Sequence, residues 1–216
     1  ISKVARIVSI KGQKNITALR ANVARLISDS RDGLSRVARI VRDLKDFSRA
    51  EKGDWQWADL HQGFDSTLNI AWNEIKYRCT LDRAYGEIPR VWCVPSQINQ
   101  VFLNLIMNAA QAISQKGSIT IRTGQSGDEI FFAVADTGGG IPAENFHHLF
   151  EPFFTTKPVG QGTGLGLSIA YGIVQSHHGR IAVESEVGRG ATFTVWLPVK
   201  PKGTLPGQAN DDKDSG

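Results

Sequence analysis

With 216 residues the chain can hold one comfortable domain plus an accessory element, or two small domains. Its 41% hydrophobic and 21% charged residues are those of an ordinary globular protein, and no apolar run approaches the ~20 residues that span a bilayer. The formal charge of +4 is unevenly placed: residues 1–53 hold thirteen Lys/Arg against five Asp/Glu, leaving the remainder acidic by four. Basic residues in this arm alternate with Val, Ile and Leu at helical spacing and do not form an uninterrupted block with interleaved aromatics. They read as a solvated helix face, so neither a nucleic acid nor a membrane is an expected partner of this segment. No signal-peptide pattern opens the chain, which begins at Ile1 and is read as a piece of a longer protein. Cys79 and Cys93 lack metal-ligand spacing and are expected as buried thiols in a reducing compartment.

Residues 1–50 read as helical. Leu34, Val37, Ile40, Val41, Leu44 and Phe47 recur at three- and four-residue steps from Asp29 onward. An earlier stretch, interrupted near Gly12, carries Val4, Ile7 and Val8 and then Ile16, Leu19, Val23 and Leu26. These stripes are too narrow for a domain and need a partner helix, in a hairpin or in a second chain. Ser2–Val8 nearly duplicates Ser35–Val41.

Glu51–Asp54 ends the helical arm, with Gly53 as its stop. Trp55–Trp57 alternates like a short strand, and a helical period runs from Asp65 to Ile75. Strands follow at Cys79–Tyr85 and Val91–Val94, then a helix from Pro95 to about Gln115. Ser118–Thr123 and Glu129–Ala135 read as strands joined by a turn at Gly124–Gly127. An irregular Gly-rich stretch from Asp136 to Gly166 precedes a helix over Leu165–Ser176 and a hairpin, Arg180–Glu186 and Ala191–Pro198, around Gly188–Gly190. The polar tail, 201–216, is expected to be disordered. Mixed strands with helices on one face predict an α/β two-layer sandwich over 54–200, preceded by the helical arm of 1–53. Loops as long as the Gly-rich stretch usually serve as lids or binding loops.

Four short segments meet the requirements for holding a nucleotide. Asn104 and Asn108 lie four residues apart on one helix face, with amide oxygens suited to Mg²⁺. Asp136-Thr-Gly-Gly-Gly140 puts a carboxylate at a strand end, where it can accept from an exocyclic amino group. Gly160-Gln-Gly-Thr-Gly-Leu-Gly166 opens a helix with uncovered N–H groups and a favourable dipole, but lacks the Lys of a P-loop. Phe150-Glu-Pro-Phe-Phe-Thr-Thr-Lys157 offers aromatics and a cation in a lid. Each alone has an ordinary reading as a turn, a loop anchor or a solvated face.

In order and spacing the four segments resemble the N, G1, F and G2 boxes of sensor histidine kinases, of the GHKL ATPase superfamily. The lid and Gly-Thr-Gly-Leu-Gly-Leu167 look most like the nitrogen-regulation branch. The resemblance implies the Bergerat (GHKL) fold, ATP and Mg²⁺ as cofactors, and Asp136 as acceptor for the adenine amino group. It implies Asn108 as Mg²⁺ ligand, with Asn104 and Lys157 as catalytic residues on the phosphate side. Gly138, Gly140, Phe153, Gly162, Thr163, Gly164, Leu165 and Gly166 would complete the nucleotide site. An Asn at 104, where hydrolases of the superfamily carry Glu, favours transfer over hydrolysis. Residues 29–49 look like the second helix of a dimerisation and phosphoacceptor hairpin. The resemblance therefore implies a homodimer, a response-regulator receiver domain as partner, and a cytoplasmic location, as part of a membrane-bound sensor or not.

The chain departs from that pattern in one respect. Residues 1–28 contain no histidine, and His61, His147, His148, His177 and His178 all lack the acceptor context; they read as surface or helix-capping residues. Either the acceptor lies upstream, or it was replaced, or the chain phosphorylates a partner. Two other readings stand beside the kinase: a non-catalytic ATP-binding scaffold, and a serine kinase of the anti-sigma type.

Overall fold

The computed structural model describes residues 19, 20, 22, 23, 25–31, 33, 34, 53–158 and 162–201. By compactness the chain divides into two units, Ile1–Lys45 with Thr156–Thr163, and Asp46–Thr155 with Gly164–Gly216. In the first unit, residues 25–31 are helical without a break at Asp29, where the sequence pattern starts its second stripe. Leu19, Val23, Leu26, Ile27 and Leu34 are exposed there. The expected helices over 1–18 and 35–52, and the tail beyond 201, lie outside the described residues.

The second unit is an α/β two-layer sandwich, as expected. Strands β1 (Gln56–Ala58) and β3 (Val91–Cys93) form a small antiparallel ribbon. Five strands make the main sheet, ordered β2-β4-β5-β7-β6, with β2 (Cys79–Tyr85) parallel to β4 (Gly117–Ser126). The pairs β4–β5 (Glu129–Asp136), β5–β7 (Gly190–Pro198) and β6 (Arg180–Glu186)–β7 are antiparallel. Strand alternation puts Ile119 and Ile121, Ile130, Phe132 and Val134, and Phe193, Val195 and Leu197 on one buried face. Helices α1 (Leu60–Ile75), α2 (Pro95–Ala112) and α3 (Gly166–Ser176) cover it, α2 packing between the other two. Phe64, Phe102 and Phe132, all fully buried, join α1, α2 and β5 through ring contacts of 4.2–6.2 Å. The opposite face carries Arg122, Phe131, Thr194 and Trp196, with the Arg180 guanidinium 4.6 Å over the Trp196 ring.

Several boundaries differ from the sequence expectation, each for a local reason. Helix α1 starts at Leu60 rather than near Asp65, because Asp59 caps it by accepting from the N–H groups of His61 and Gln62. Gly63, which blurs the apolar pattern, sits where a Cβ would lie 2.4 Å from the Asn99 side chain of α2. Strand β4 runs on to Ser126 rather than ending at Thr123, β5 starts at Glu129 as expected, and the turn is Gly127–Asp128. Gly124 remains in the ladder beneath the Phe131 ring. A short 3₁₀ turn, Ala143–His148, lies inside the stretch read as irregular. Cys79 and Cys93 are free and buried, and burial raises the Cys93 thiol to about 12.

Helix α3 ends in a Schellman arrangement: Gly179 N–H donates to the Val174 carbonyl and His178 N–H to that of Gln175. His178 occupies the left-handed position, at φ 57, that glycine usually takes. His177 is not the surface cation anticipated at this helix end. It is 2% exposed, and burial lowers its pKa.

Candidate functional site

Helix α2 organises the site through one of its faces. Residues 104, 108 and 112 succeed one another at four-residue steps, spanning about 12 Å along the axis. At one end, the Asn104 Nδ2 donates to the Gly166 carbonyl at 2.9 Å, tying α2 to the first residue of α3. At the other, the Ala112 carbonyl accepts from Gly139 N–H at 3.2 Å, holding the Asp136–Gly140 segment against the end of the helix. Asn108 lies half-buried between them.

Asp136 ends β5 and is buried, at 8% exposure. Its carboxylate accepts from Gly138 N–H at 2.7 Å and from the Ala191 backbone. Burial raises its pKa, and these two hydrogen bonds oppose the rise. No ion pair with Asp136 occurs among the described residues. Burial disfavours the charged form of this carboxylate, so holding it ionised costs stability. Gly138 packs on the Ala112 carbonyl and Gly140 on that of Glu186, so this segment is wedged between α2 and the β6–β7 turn. That packing gives both glycines a role independent of any ligand.

The lid is anchored at its base. Phe153 N–H donates to the Gly164 carbonyl at 2.9 Å, closing the chain on either side of residues 154–163. Both residues have φ 68, and a Cβ at Gly164 would lie 2.3 Å from the Phe153 carbonyl carbon. For Phe153, whose side chain is 63% exposed, a left-handed backbone costs about 1–3 kcal/mol. Phe150 packs on Tyr171 of α3 at 5.1 Å, and Phe154 on His148 at 5.6 Å. Leu165 is buried, and the start of α3 has no side-chain cap and no acidic residue in its first turn, leaving it receptive to anions.

The structure thus brings together Phe153, Gly164, Leu165, Gly166 and Asn104 at one end of the α2 face, and Asp136, Gly138 and Gly140 at the other. Lys157, Gly162 and Thr163 belong to the first compact unit; burial lowers the Lys157 pKa. Gly160 lies outside the described residues. Among the described residues no cluster of three or more His, Cys, Asp or Glu is present. The amide oxygens of the α2 face suit a hard cation that takes most of its ligands from phosphates and water, the usual mode of Mg²⁺. The sequence reading missed Gly190 and Ala191, which back Asp136 from β7. Only the fold brings them there; the sequence shows a plain hairpin turn.

The family described as "Histidine kinase-, DNA gyrase B-, and HSP90-like ATPase" matches residues 93–201. Sensor histidine kinase ZraS of Escherichia coli (strain K12) is 36% identical over 203 residues, which cover 88% of this chain and 42% of that protein. Sensor kinase CckA of Brucella abortus (strain 2308) is 36% identical over 190 residues, covering 80% and 20%. The chain therefore spans less than half the length of these relatives. The solved catalytic domain of histidine kinase ThkA superposes with a TM-score of 0.62 at 30% identity, covering 68% of this chain and 97% of that domain. These names lend no support to a non-catalytic scaffold. No helix among the described residues is long and apolar enough to cross a membrane. The chain belongs to the histidine kinase-, DNA gyrase B- and HSP90-like ATPase family and carries the ATP-binding domain of a sensor histidine kinase.

Proposed function

We propose that this chain binds Mg-ATP and transfers the γ-phosphoryl group to a histidine imidazole, from which it passes to a receiver-domain aspartate of a response regulator. The observation that carries the reading is the α2 face, which meets the Asp136 segment at one end and the α3 N-terminus at the other. A nucleotide laid along this face puts its base at Asp136 and its phosphates at Gly164–Gly166. Asp136 accepts from the adenine 6-amino group, where guanine carries a carbonyl oxygen that cannot donate. Asn108, between the two ends, holds Mg²⁺, and Asn104 keeps the α3 start in place. When bound, Mg²⁺ neutralises phosphate charge. The N–H groups of Gly164, Leu165 and Gly166 face the phosphates, and Phe153 holds the loop base through Gly164.

Transfer itself asks little covalent chemistry of the chain. The neutral imidazole attacks phosphorus in line, the P–N bond forms as the bond to the β–γ bridging oxygen breaks, and ADP leaves. Asn104 cannot act as a base for water, and its amide is committed to the Gly166 carbonyl, so hydrolysis is disfavoured. The acceptor histidine belongs to another segment or another chain. Pairing through the helical arm, whose apolar residues Leu19, Val23 and Leu26 are exposed, supplies the homodimer. The protein acts in the cytoplasm.

Titration calorimetry with Asn108→Ala tests the site. The wild-type chain is expected to bind ATP more tightly with Mg²⁺ than without. The variant is expected to lose about tenfold in Mg-ATP affinity while its Mg²⁺-free affinity is unchanged. Equal Mg²⁺ dependence in both proteins would remove Asn108 from the site.

A further inference from the structure

His177 is a buried titratable side chain, 2% exposed, and nothing in the phosphoryl-transfer scheme uses it. Its two ring nitrogens have different partners. Nε2 receives the backbone N–H of Val94 at 3.1 Å, and Nδ1 lies 2.8 Å from the Ile173 carbonyl. A backbone amide can only donate and a carbonyl can only accept. The ring is therefore neutral, with its proton on Nδ1. Trp55 packs on the imidazole with ring centroids 4.7 Å apart.

These contacts join three parts of the fold. Val94 is the N-cap residue of α2, the helix that carries Asn104 and Asn108. It lacks a side-chain cap bond, so the imidazole satisfies an amide at the start of that helix. His177 is the C-cap residue of α3, whose other end is the phosphate-side loop. The same two helices are tied at the site by Asn104 and Gly166. One polar tie thus fixes α2 to α3 at each end of their contact, and Trp55 precedes β1 where the chain runs into the catalytic unit.

We propose that His177 is a positioning residue for the nucleotide site, setting α3 against α2 through the Val94 amide, with the Trp55 ring holding the imidazole in place. The inference rests on the nucleotide reading above. A displacement of Trp55 frees the imidazole to tilt, the Val94 amide loses its acceptor, and α3 shifts its phosphate-side loop relative to Asn104 and Asn108. Protonation of Nε2 has the same effect, because two donors then face each other. Burial, the Ile173 carbonyl and the neighbouring His178 act on the ring's charge, burial and His178 keeping it neutral. Val94 contributes an amide, Ser176 a hydroxyl 3.4 Å from Nδ1 and Trp55 a ring, none of which titrates in this range.

The test compares Mg-ATP affinity and urea-unfolding midpoint in His177→Ala, His177→Gln, Trp55→Ala and the His177→Ala/Trp55→Ala double variant. His177→Ala is expected to weaken Mg-ATP binding by about tenfold. His177→Gln, whose side-chain oxygen can still accept from Val94, is expected to recover most of that loss. The double variant is expected to bind no worse than His177→Ala, because both changes break one linkage. Because burial lowers the His177 pKa, wild type should also lose affinity only once pH falls below the ordinary histidine range, beyond the loss seen in His177→Gln, which has nothing to protonate at this position. A folded His177→Ala protein with wild-type affinity and only a lower urea midpoint overturns the positioning role. If that variant does not fold, unchanged affinity in both His177→Gln and Trp55→Ala, with no pH difference from wild type, overturns it. A wild-type chain that fails to bind Mg-ATP overturns the nucleotide reading itself, a separate outcome.

Discussion

Asp136→Ala is expected to reduce Mg-ATP affinity by about 100-fold, the effect of losing one hydrogen bond to a buried charged group. The carboxylate is buried at its end of the α2 face and has no ion-pair partner among the described residues. Truncation also strands two backbone donors, those of Gly138 and Ala191, at about 1–3 kcal/mol each. Asp136→Asn separates the two effects. Its remaining oxygen still serves one of those donors, so stability falls less, while the negative charge that favours the nucleotide amino group is gone. Calorimetric titration of both variants, with folding checked by circular dichroism, reads the result. A folded variant with unchanged affinity would end the assignment. The pH dependence has a defined sign. Because burial raises the Asp136 pKa, its ionised form costs stability at neutral pH, and that cost disappears as pH falls through the folded pKa. Nucleotide binding runs the opposite way, weakening as the acceptor is protonated.

Gly190→Ala has the largest expected effect on stability. Gly190 has φ 101, and a Cβ there would lie 1.9 Å from the Asp136 carbonyl oxygen and 3.0 Å from the Thr137 Cα. Both neighbours are backbone, so relief requires the start of β7 to part from the end of β5. The expected cost is about 2–5 kcal/mol, combining the left-handed penalty with overpacking. That corresponds to roughly 10 °C in thermal unfolding for a domain of this size. Gly188→Ala is the matched control: its φ is 82, but no heavy atom lies within 4 Å of the added Cβ. It should lose only the backbone term, about 1–2 kcal/mol. Equal melting temperatures for the two variants would show that the close approach does not matter. Because the Ala191 amide supports the Asp136 carboxylate, Gly190→Ala should weaken nucleotide binding as well.

The residues that were legible in the sequence are those whose neighbours are local. The apolar stripe from Val101 to Ala109 located α2, and the return of regular spacing after Gly166 located α3. Strand alternation gave β5 and the closing hairpin. Asn104 and Asn108 shared a face by helical period alone, and the glycines of 138–140 and 164–166 marked both loops. What escaped was set by contacts between distant segments. Gly124 looks like a turn residue, yet it stays in β4 because the Phe131 ring lies over it. Gly190 looks like the end of a hairpin loop, yet its conformation is dictated by Asp136. His177 looks like a helix-capping cation, yet the Val94 amide and Trp55 ring enclose it as a neutral base. Phe153 carries no sequence sign of its left-handed backbone, which accompanies the bond from its N–H to the Gly164 carbonyl.

The most direct measurement is incubation of the chain with γ-labelled ATP and Mg²⁺, alone and beside a separate fragment bearing a phosphoacceptor helix of the histidine kinase family. The expected result is acid-labile label on the added fragment, lost with Asp136→Ala, since phosphohistidine is hydrolysed by acid. Acid-stable label, or none on either partner while ATP is bound, would contradict a histidine kinase module.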